Sequence, residues 1–499
     1  MPSQNRSNRI TASMSQNFST AIQINECIQR AIAQIQQSNY RQALEFLNKA
    51  LNMENNHTQA QLLSAQCFHA LGEVSQSERC FLALIDSNPH NAFYQHSLAI
   101  LYNDFNQSSK ALLHAERATV LAPQQFECWT QLSLAYRQNR RFIEAHSAAN
   151  KAVTLSGGHP DALRARAYCN LEQNHTEQAS NDFQQRMLAY FGKGIPVSNQ
   201  KEFTSTSKVK LKHDIEQFQY LKVITGDSKF DVLTLQHQKL LAHLSTELEP
   251  DTIVNLLPSA LQEMRGNYNH VHQFEQAERS KDPAVNVARD FHTIEQNYAA
   301  QAPGITWIDD FLSEASIKAL RKYCLENTMW FDFHHPNGYL GALMENGFAA
   351  PLLFQIAEEL KTHLPAIFKD YPLIQMWAFK YDSQLQGIQM HADIAAINLN
   401  FWITPDDANL DPNSGGLVIW DKEAPSEWGF SEFNTGEVDR QQRIQDFLAS
   451  SGANKVNVPY RQNRAVLFNS DLFHSTDNFH FKDGYENRRI NITLLFGHR

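Results

Sequence analysis

The segment Gln389-Met390-His391-Ala392-Asp393, followed by the apolar-rich run 396–404, decides how the C-terminal part of the chain is read. His391 and Asp393 stand two residues apart, so on a strand both side chains leave the same face and aim at one point. An imidazole and a carboxylate so placed call for a third metal ligand. Downstream, Leu467-Phe468-Asn469-Ser470-Asp471-Leu472-Phe473-His474 reads as a strand-like run ending at a histidine, which makes His474 the candidate. His480 competes for the role, but it falls inside the next expected strand whereas His474 ends one. Two histidines and one carboxylate take one face of an octahedral Fe(II) and leave the other face open. The chain then closes on 488–496, a strand with Arg488 and Arg489 at its start, suited to setting a guanidinium fork on a carboxylate.

Taken in order, His391-x-Asp393, then His474, then an arginine opening the last strand resembles the ligand and cosubstrate pattern of Fe(II)/2-oxoglutarate-dependent oxygenases of the prolyl-hydroxylase-like kind. The resemblance covers residues 301–499, and Asp309 to Ser313 looks like the usual opening of such a domain. It implies that His391, Asp393 and His474 hold Fe(II), that 2-oxoglutarate chelates through its keto and C1 carboxylate oxygens, and that O2 takes the remaining position. Decarboxylation to succinate and CO2 would then drive hydroxylation, since halogenating relatives carry a small residue where this chain has Asp393. Arg489 is the preferred residue for the distal carboxylate of 2-oxoglutarate, with Arg488 as the alternative. On a strand it shares a face with the polar Asn491 and Thr493, whereas Arg488 shares one with Ile490, Ile492 and Leu494. Tyr381 matches the place where related enzymes put a cosubstrate-contacting tyrosine, with core packing as the alternative. Asn400 is a further pocket candidate.

Strand candidates follow one another at 374–381, 387–392, 396–404, 416–420, 456–459, 464–468, 478–482 and 489–496, with turn residues between them. Eight such strands suit a jelly roll, the double-stranded β-helix, in which ligands from separate strands meet at one open end. The acid-rich turn 404–416 has the look of a calcium loop, but Lys422 occupies the twelfth position from Asp411, where a bidentate acid is needed. Helical spacing at 316–327 and 350–368 predicts two helices buttressing the sheet, with the aromatic, histidine-bearing loop 330–339 between them.

Toward the N-terminus a different order rules. Ala43, Ser77, Ala111, Ala145 and Ala179 recur every 34 residues, and Ala31, Ala65, Ala99, Ser133 and Ala167 form a second series at the same interval. Phe68, Tyr102 and Tyr136 repeat in step, and Pro89 and Pro123 end successive units. Small residues at a fixed period mark where paired helices approach closely, and this period resembles the tetratricopeptide repeat. Five units over 24–193 are expected to stack into a superhelix whose groove takes a protein or peptide, with a purely structural scaffold or dimer surface as the alternative. Residues 1–23 read as a disordered polar arm, and 194–300 as a linker, rich in Gly and Pro at its start, plus a helical connector.

The composition sets bounds on partners. A formal net charge of -10, with no long basic run, argues against a general nucleic-acid binder. No apolar run approaches a membrane span. Six cysteines, none in a CxxC pair, favour a reducing compartment and a cytoplasmic protein. The expectation is thus a multidomain chain, all-α repeats followed by a jelly roll at 301–499. Its function would be hydroxylation of a side chain on a protein recruited by the repeats. The same chemistry on a small molecule, with the repeats used for assembly, and an inactive binding scaffold are the alternatives, and the oligomeric state stays open.

Overall fold

The computed structural model describes residues 3–192, 200–335, 337–382, 387–428, 433–434 and 439–498, with backbone alone over 3–19. Ten helices come first: α1 Ser3–Gln36, α2 Tyr40–Met53, α3 Thr58–Ala70, α4 Val74–Ser87, α5 Ala92–Asp104, α6 Ser108–Leu121, α7 Phe126–Gln138, α8 Phe142–Ser156, α9 Pro160–Glu172 and α10 Thr176–Phe191. Both small-residue series are fully buried, from Ala31 to Ala167 and from Ala43 to Ala179. A larger side chain there would hold the paired helices apart. Where serine replaces alanine its hydroxyl is satisfied locally, as in Ser77, which donates to the Ala65 carbonyl at 2.8 Å.

The turn inside each pair also repeats. Ser38, Gly72, Asn106, Arg140 and Asn174, again 34 apart, all adopt a positive φ between 56° and 73°. Only one is glycine, so the other four carry the crowding of a Cβ in the left-handed region. One expectation needs correction: α1 begins at Ser3, so most of the segment read as a disordered arm is helical. After Pro2 nothing breaks the helix until Gln36, because Ser, Asn and Gln lower helix propensity only slightly while Pro and Gly are absent. The expected linker around Gly194 and Pro196 lies outside the described residues.

The chain divides into two compact units, Met1–Gly157 and Gly158–Arg499. In the first, α1 to α8 stack their buried alanines, leucines and aromatics into two clusters, one around Leu47 and Ala60, the other around Leu98 and Tyr102. The fifth helical pair belongs to the second unit. Ala167, Leu171, Phe183, Met187 and Phe191 of α9 and α10 enter the same core as Trp330, Phe354 and Phe401. Phe191 stacks on Phe331 with centroids 3.9 Å apart.

That second unit is built on antiparallel strands: β1 Ser205–Thr206, β2 Val254–Asn255, β3 Ile305–Ile308, β4 Leu340–Leu343, β5 Leu373–Lys380, β6 Ile397–Trp402, β7 Leu417–Glu423, β8 Lys455–Val458, β9 Ala465–Asn469, β10 Leu472–Thr476 and β11 Ile490–Phe496. β1 pairs with β2 alone; a larger sheet has the order β3-β9-β6-β11-β5-β4, and a smaller one the order β10-β7-β8. Alternation along the large sheet sorts its side chains. Met376, Ala378, Leu399, Phe401, Ile492 and Leu494 pack with the helices Glu314–Glu326 and Pro351–His363 in the main core. Trp377, Phe379, Asn400, Asn491 and Thr493 point the other way, into a pocket bounded also by the smaller sheet.

Three strand expectations are corrected. Residues 387–392 form no strand; His391 makes a single bridge, to His474. Residues 478–482 likewise carry only the bridge from Phe481 to Asn409. His474 does not end the run before it. A turn at Ser470-Asp471 separates β9 from β10, and His474 sits in the middle of β10. Asn469 Oδ1 accepts from the Asp471 N–H at 3.0 Å, the local side-chain bond that asparagine offers a turn.

Candidate functional site

His391, Asp393 and His474 come together. Their ligand atoms all lie within 4.8 Å of one another, the one such cluster of histidine, cysteine and acid side chains found among the described residues. The bridge between positions 391 and 474, with N–H to O distances of 3.0 and 2.9 Å, fixes the two backbones. Asp393 is held by its N–H, which donates to the Ser470 carbonyl at 3.2 Å. His391 Nε2 stands 3.7 Å from Asp393 Oδ1, and His474 Nε2 3.6 Å from Asp393 Oδ2. Both separations exceed a hydrogen bond and suit groups arranged around a shared cation.

The orientation of each ring is determined. His391 Nδ1 lies 2.8 Å from the Gln389 carbonyl and His474 Nδ1 3.0 Å from the Leu472 carbonyl. A carbonyl only accepts, so both Nδ1 atoms carry a proton and both Nε2 atoms are turned toward Asp393, the side on which a shared metal would sit. Burial, reinforced by the facing His391, lowers the pKa of His474 to about 4 against the pull of Asp393, so its imidazole is neutral at physiological pH. This is the donor set that a divalent metal needs, with the outer ring nitrogens already tied down.

The other expected residues line the same pocket: Tyr381, Asn400 and Arg489, together with Trp377, Phe379, Ile388, Leu417, Thr476, Asn491 and Thr493. Arg489 is 1 % exposed. Its Nε donates to the Gly415 carbonyl at 2.7 Å and its Nη2 to the Gly416 carbonyl at 3.2 Å. Nη1 is buried with no partner. The guanidinium carbon lies 4.8 Å from the Tyr381 ring centroid. Arg488 goes elsewhere: its Nε donates to Glu216 at 2.7 Å, and it faces Asp382.

Two supports were not singled out from sequence. Gly415 and Gly416 supply the carbonyls that clamp Arg489, and a Cβ on Gly416 would stand 1.8 Å from the Val458 carbonyl oxygen. The Gly-Gly pair was visible as a turn, but its long-range partner was not. Asn398 donates to Asp393 Oδ2 at 2.6 Å and sits on the same strand face as Asn400, a two-residue spacing that could have flagged it. His480 stands outside the cluster.

Comparison with known proteins bears on the helical part. A tetratricopeptide-repeat family model matches residues 34–101. Among solved structures, MamA from Desulfovibrio magneticus RS-1 (residues 41 to the end) is 17 % identical, covering 34 % of this chain and 94 % of its own, with a TM-score of 0.31. YrrB, a TPR protein with an unusual peptide-binding site, is 18 % identical over 35 % of this chain and 92 % of its own, at 0.29. PilF of Pseudomonas aeruginosa is 16 % identical over 50 % and 99 %, at 0.32. A search of curated proteins gives no match. The family match places tetratricopeptide repeats in the helical part of the chain, and an antiparallel sheet-rich region follows it. No helix among the described residues is long and apolar enough to cross a membrane.

Proposed function

We propose that the chain is an Fe(II)- and 2-oxoglutarate-dependent dioxygenase that hydroxylates a side chain of a protein or peptide engaged by the repeats. The observation that carries this reading is the convergence of His391, Asp393 and His474, with both Nδ1 protons committed to carbonyls, in one pocket with a buried arginine that has an unused donor. Two imidazoles and a carboxylate on one side, with pocket space on the other, favour non-haem iron over a closed structural site. The strand orders β3-β9-β6-β11-β5-β4 and β10-β7-β8, facing each other across the pocket, support a jelly-roll reading.

Iron with 2-oxoglutarate and O2 supplies the oxidising chemistry; the residues of the chain bind, orient and keep water out. His391, Asp393 and His474 would hold the metal. Arg489, pre-aligned by two glycine carbonyls, would neutralise the distal carboxylate in a site too buried for water to screen it. Tyr381 packs on the guanidinium and limits its movement. Trp377, Phe379 and Ile388 give the pocket an apolar wall, which keeps the reacting centre dry.

The test is metal-dependent release of succinate from 2-oxoglutarate, followed by mass spectrometry of cell-extract proteins for one-oxygen gains. Both should vanish in Asp393→Ala. Failure of the wild-type protein to bind any divalent metal would leave the scaffold reading instead, for which the repeats alone suffice. Recruitment by the repeats is tested by removing 1–157. A cut at 193 would strip Phe183, Met187 and Phe191 from the second unit's core.

A further inference from the structure

Asp393 is the first member of a buried hydrogen-bonded chain that crosses two strands. Asn398 Nδ2 donates to Asp393 Oδ2 at 2.6 Å, and Asn400 Nδ2 donates in turn to Asn398 Oδ1. Asn400 Oδ1 then accepts from Asn491 Nδ2 at 2.9 Å and from the Thr493 hydroxyl at 2.7 Å. All four partners are 5 % exposed or less, on inner faces of β6 and β11 where apolar side chains would pack without any polar cost.

The direction of every bond follows from the chemistry of its first member. An ionised carboxylate only accepts, so Asn398 must turn its NH2 toward Asp393 and its carbonyl toward Asn400. Asn400 must then present its own NH2 to Asn398, which leaves its carbonyl for the two donors on β11. An amide flip anywhere along the row would set two acceptors or two donors against each other in a buried site, at about 1–3 kcal/mol per unsatisfied group. The neighbouring strand register, Thr493 opposite Asn400, holds the far end in place.

We propose that Asn398, Asn400 and Thr493 are positioning residues that fix the rotamer of the metal-binding carboxylate of Asp393. The inference rests on the dioxygenase reading only in taking Asp393 as a metal ligand. By occupying Oδ2, Asn398 turns Oδ1 toward His391 and lowers the cost of ordering the carboxylate when a cation arrives. Partners of this kind change metal affinity about 10–100-fold in known sites.

The experiment is titration of the full-length protein with Co(II), followed by visible d–d absorption and tryptophan quenching, with the melting temperature of the metal-free protein measured alongside. Asn398→Leu, close in size and lacking the donor, should weaken Co(II) binding at least tenfold and change the band shape. Thr493→Val, which removes one of the two donors on the Asn400 carbonyl and leaves Asn491 on the other lone pair, should weaken it severalfold, with a smaller fall in the melting temperature of the metal-free protein than Asn398→Leu causes. Wild-type affinity and an unchanged spectrum in both variants would overturn the positioning role and leave the metal site standing. No Co(II) binding by the wild type would overturn both. If Asn398→Leu fails to fold, Thr493→Val decides the matter alone.

Discussion

Replacing Arg489 by lysine keeps the charge and removes the fork, and the structure sets the size of the effect. The guanidinium uses Nε and Nη2 on the Gly415 and Gly416 carbonyls and leaves Nη1 without a partner. A lysine ammonium is a single point on a flexible stem, so it cannot satisfy both carbonyls and still reach an acid in the pocket. The lost contact is a charge-assisted hydrogen bond, about 1.5–3 kcal/mol. At about 1.4 kcal/mol per factor of ten, 2-oxoglutarate should bind roughly 10- to 100-fold more weakly. Calorimetric titration of 2-oxoglutarate into Mn(II)-loaded protein without turnover measures this directly. Arg488→Lys is the control, because Arg488 faces Glu216 and Asp382 and should leave the affinity alone. Affinity within twofold of wild type in Arg489→Lys, or a larger loss in Arg488→Lys, would refute the assignment.

Four further outcomes are expected. Gly416→Ala would drive its Cβ into the Val458 carbonyl and shift the clamp on Arg489, so melting temperature and 2-oxoglutarate affinity should fall together; an unchanged affinity would show that the clamp is dispensable. Asp214 pairs with Lys210 at 2.5 Å and with His213 at 3.0 Å, both contacts buried. Asp214→Asn strands the lysine charge and should cost about 3–5 kcal/mol in denaturant unfolding. His114, bonded to Gln95 at 2.7 Å, is pushed down to about 4 by burial and by Arg117, against the ordinary 6.5. Its unfolded form takes up a proton first, so the stability it gives is full above pH 6.5 and is lost on acidification toward pH 4; His114→Gln should flatten that part of the pH–melting profile. Arg140→Gly relieves a positive φ of 57° and should raise stability by about 0.5–1 kcal/mol, since the strain of a left-handed residue outweighs the added freedom of glycine in the unfolded chain.

The parts of this molecule that were legible in the sequence are those set by local period. Spacing by 34 located the helix pairs from α1 to α10, because the two helices of a pair close on each other through small buried side chains. Period two placed Arg489 with Asn491 and Thr493, because a strand buried on both faces still has to sort polar from apolar. Less legible were features set by distant chain. The 387–392 segment alternates like a strand, yet among the described residues its one bridge is to His474, and the Met390 and Ala392 carbonyls accept from the side chains of Gln441 and Asn434 instead of from a ladder. Residues 478–482 look equally regular and pair only at Phe481. The carbonyls that hold Arg489 come from a turn more than seventy positions upstream, and no local pattern announces such a contact.

Membership of a repeat and membership of a core are separate properties, and α9 and α10 show why. Their small residues Ala167 and Ala179 keep the period, so by sequence the pair is one more unit of the array. Its larger side chains answer to a different surface. Phe183, Met187 and Phe191 pack with Trp330, Phe331 and Phe354, Ser180 donates to the Ala349 carbonyl at 2.6 Å, and Arg186 donates to the Glu345 carbonyl at 2.9 Å. A helix pair so committed cannot flex apart from the sheet below it without breaking buried contacts. Phe183→Ala should therefore cost about 3–5 kcal/mol in the unfolding of the second unit. It should leave the first unit's transition in place, because that cluster ends at Ala148. Two resolved transitions with only the second lowered, as read by hydrogen exchange of buried amides in each unit, is the pattern this packing requires; a shift confined to α1–α8 would assign the fifth pair back to the array.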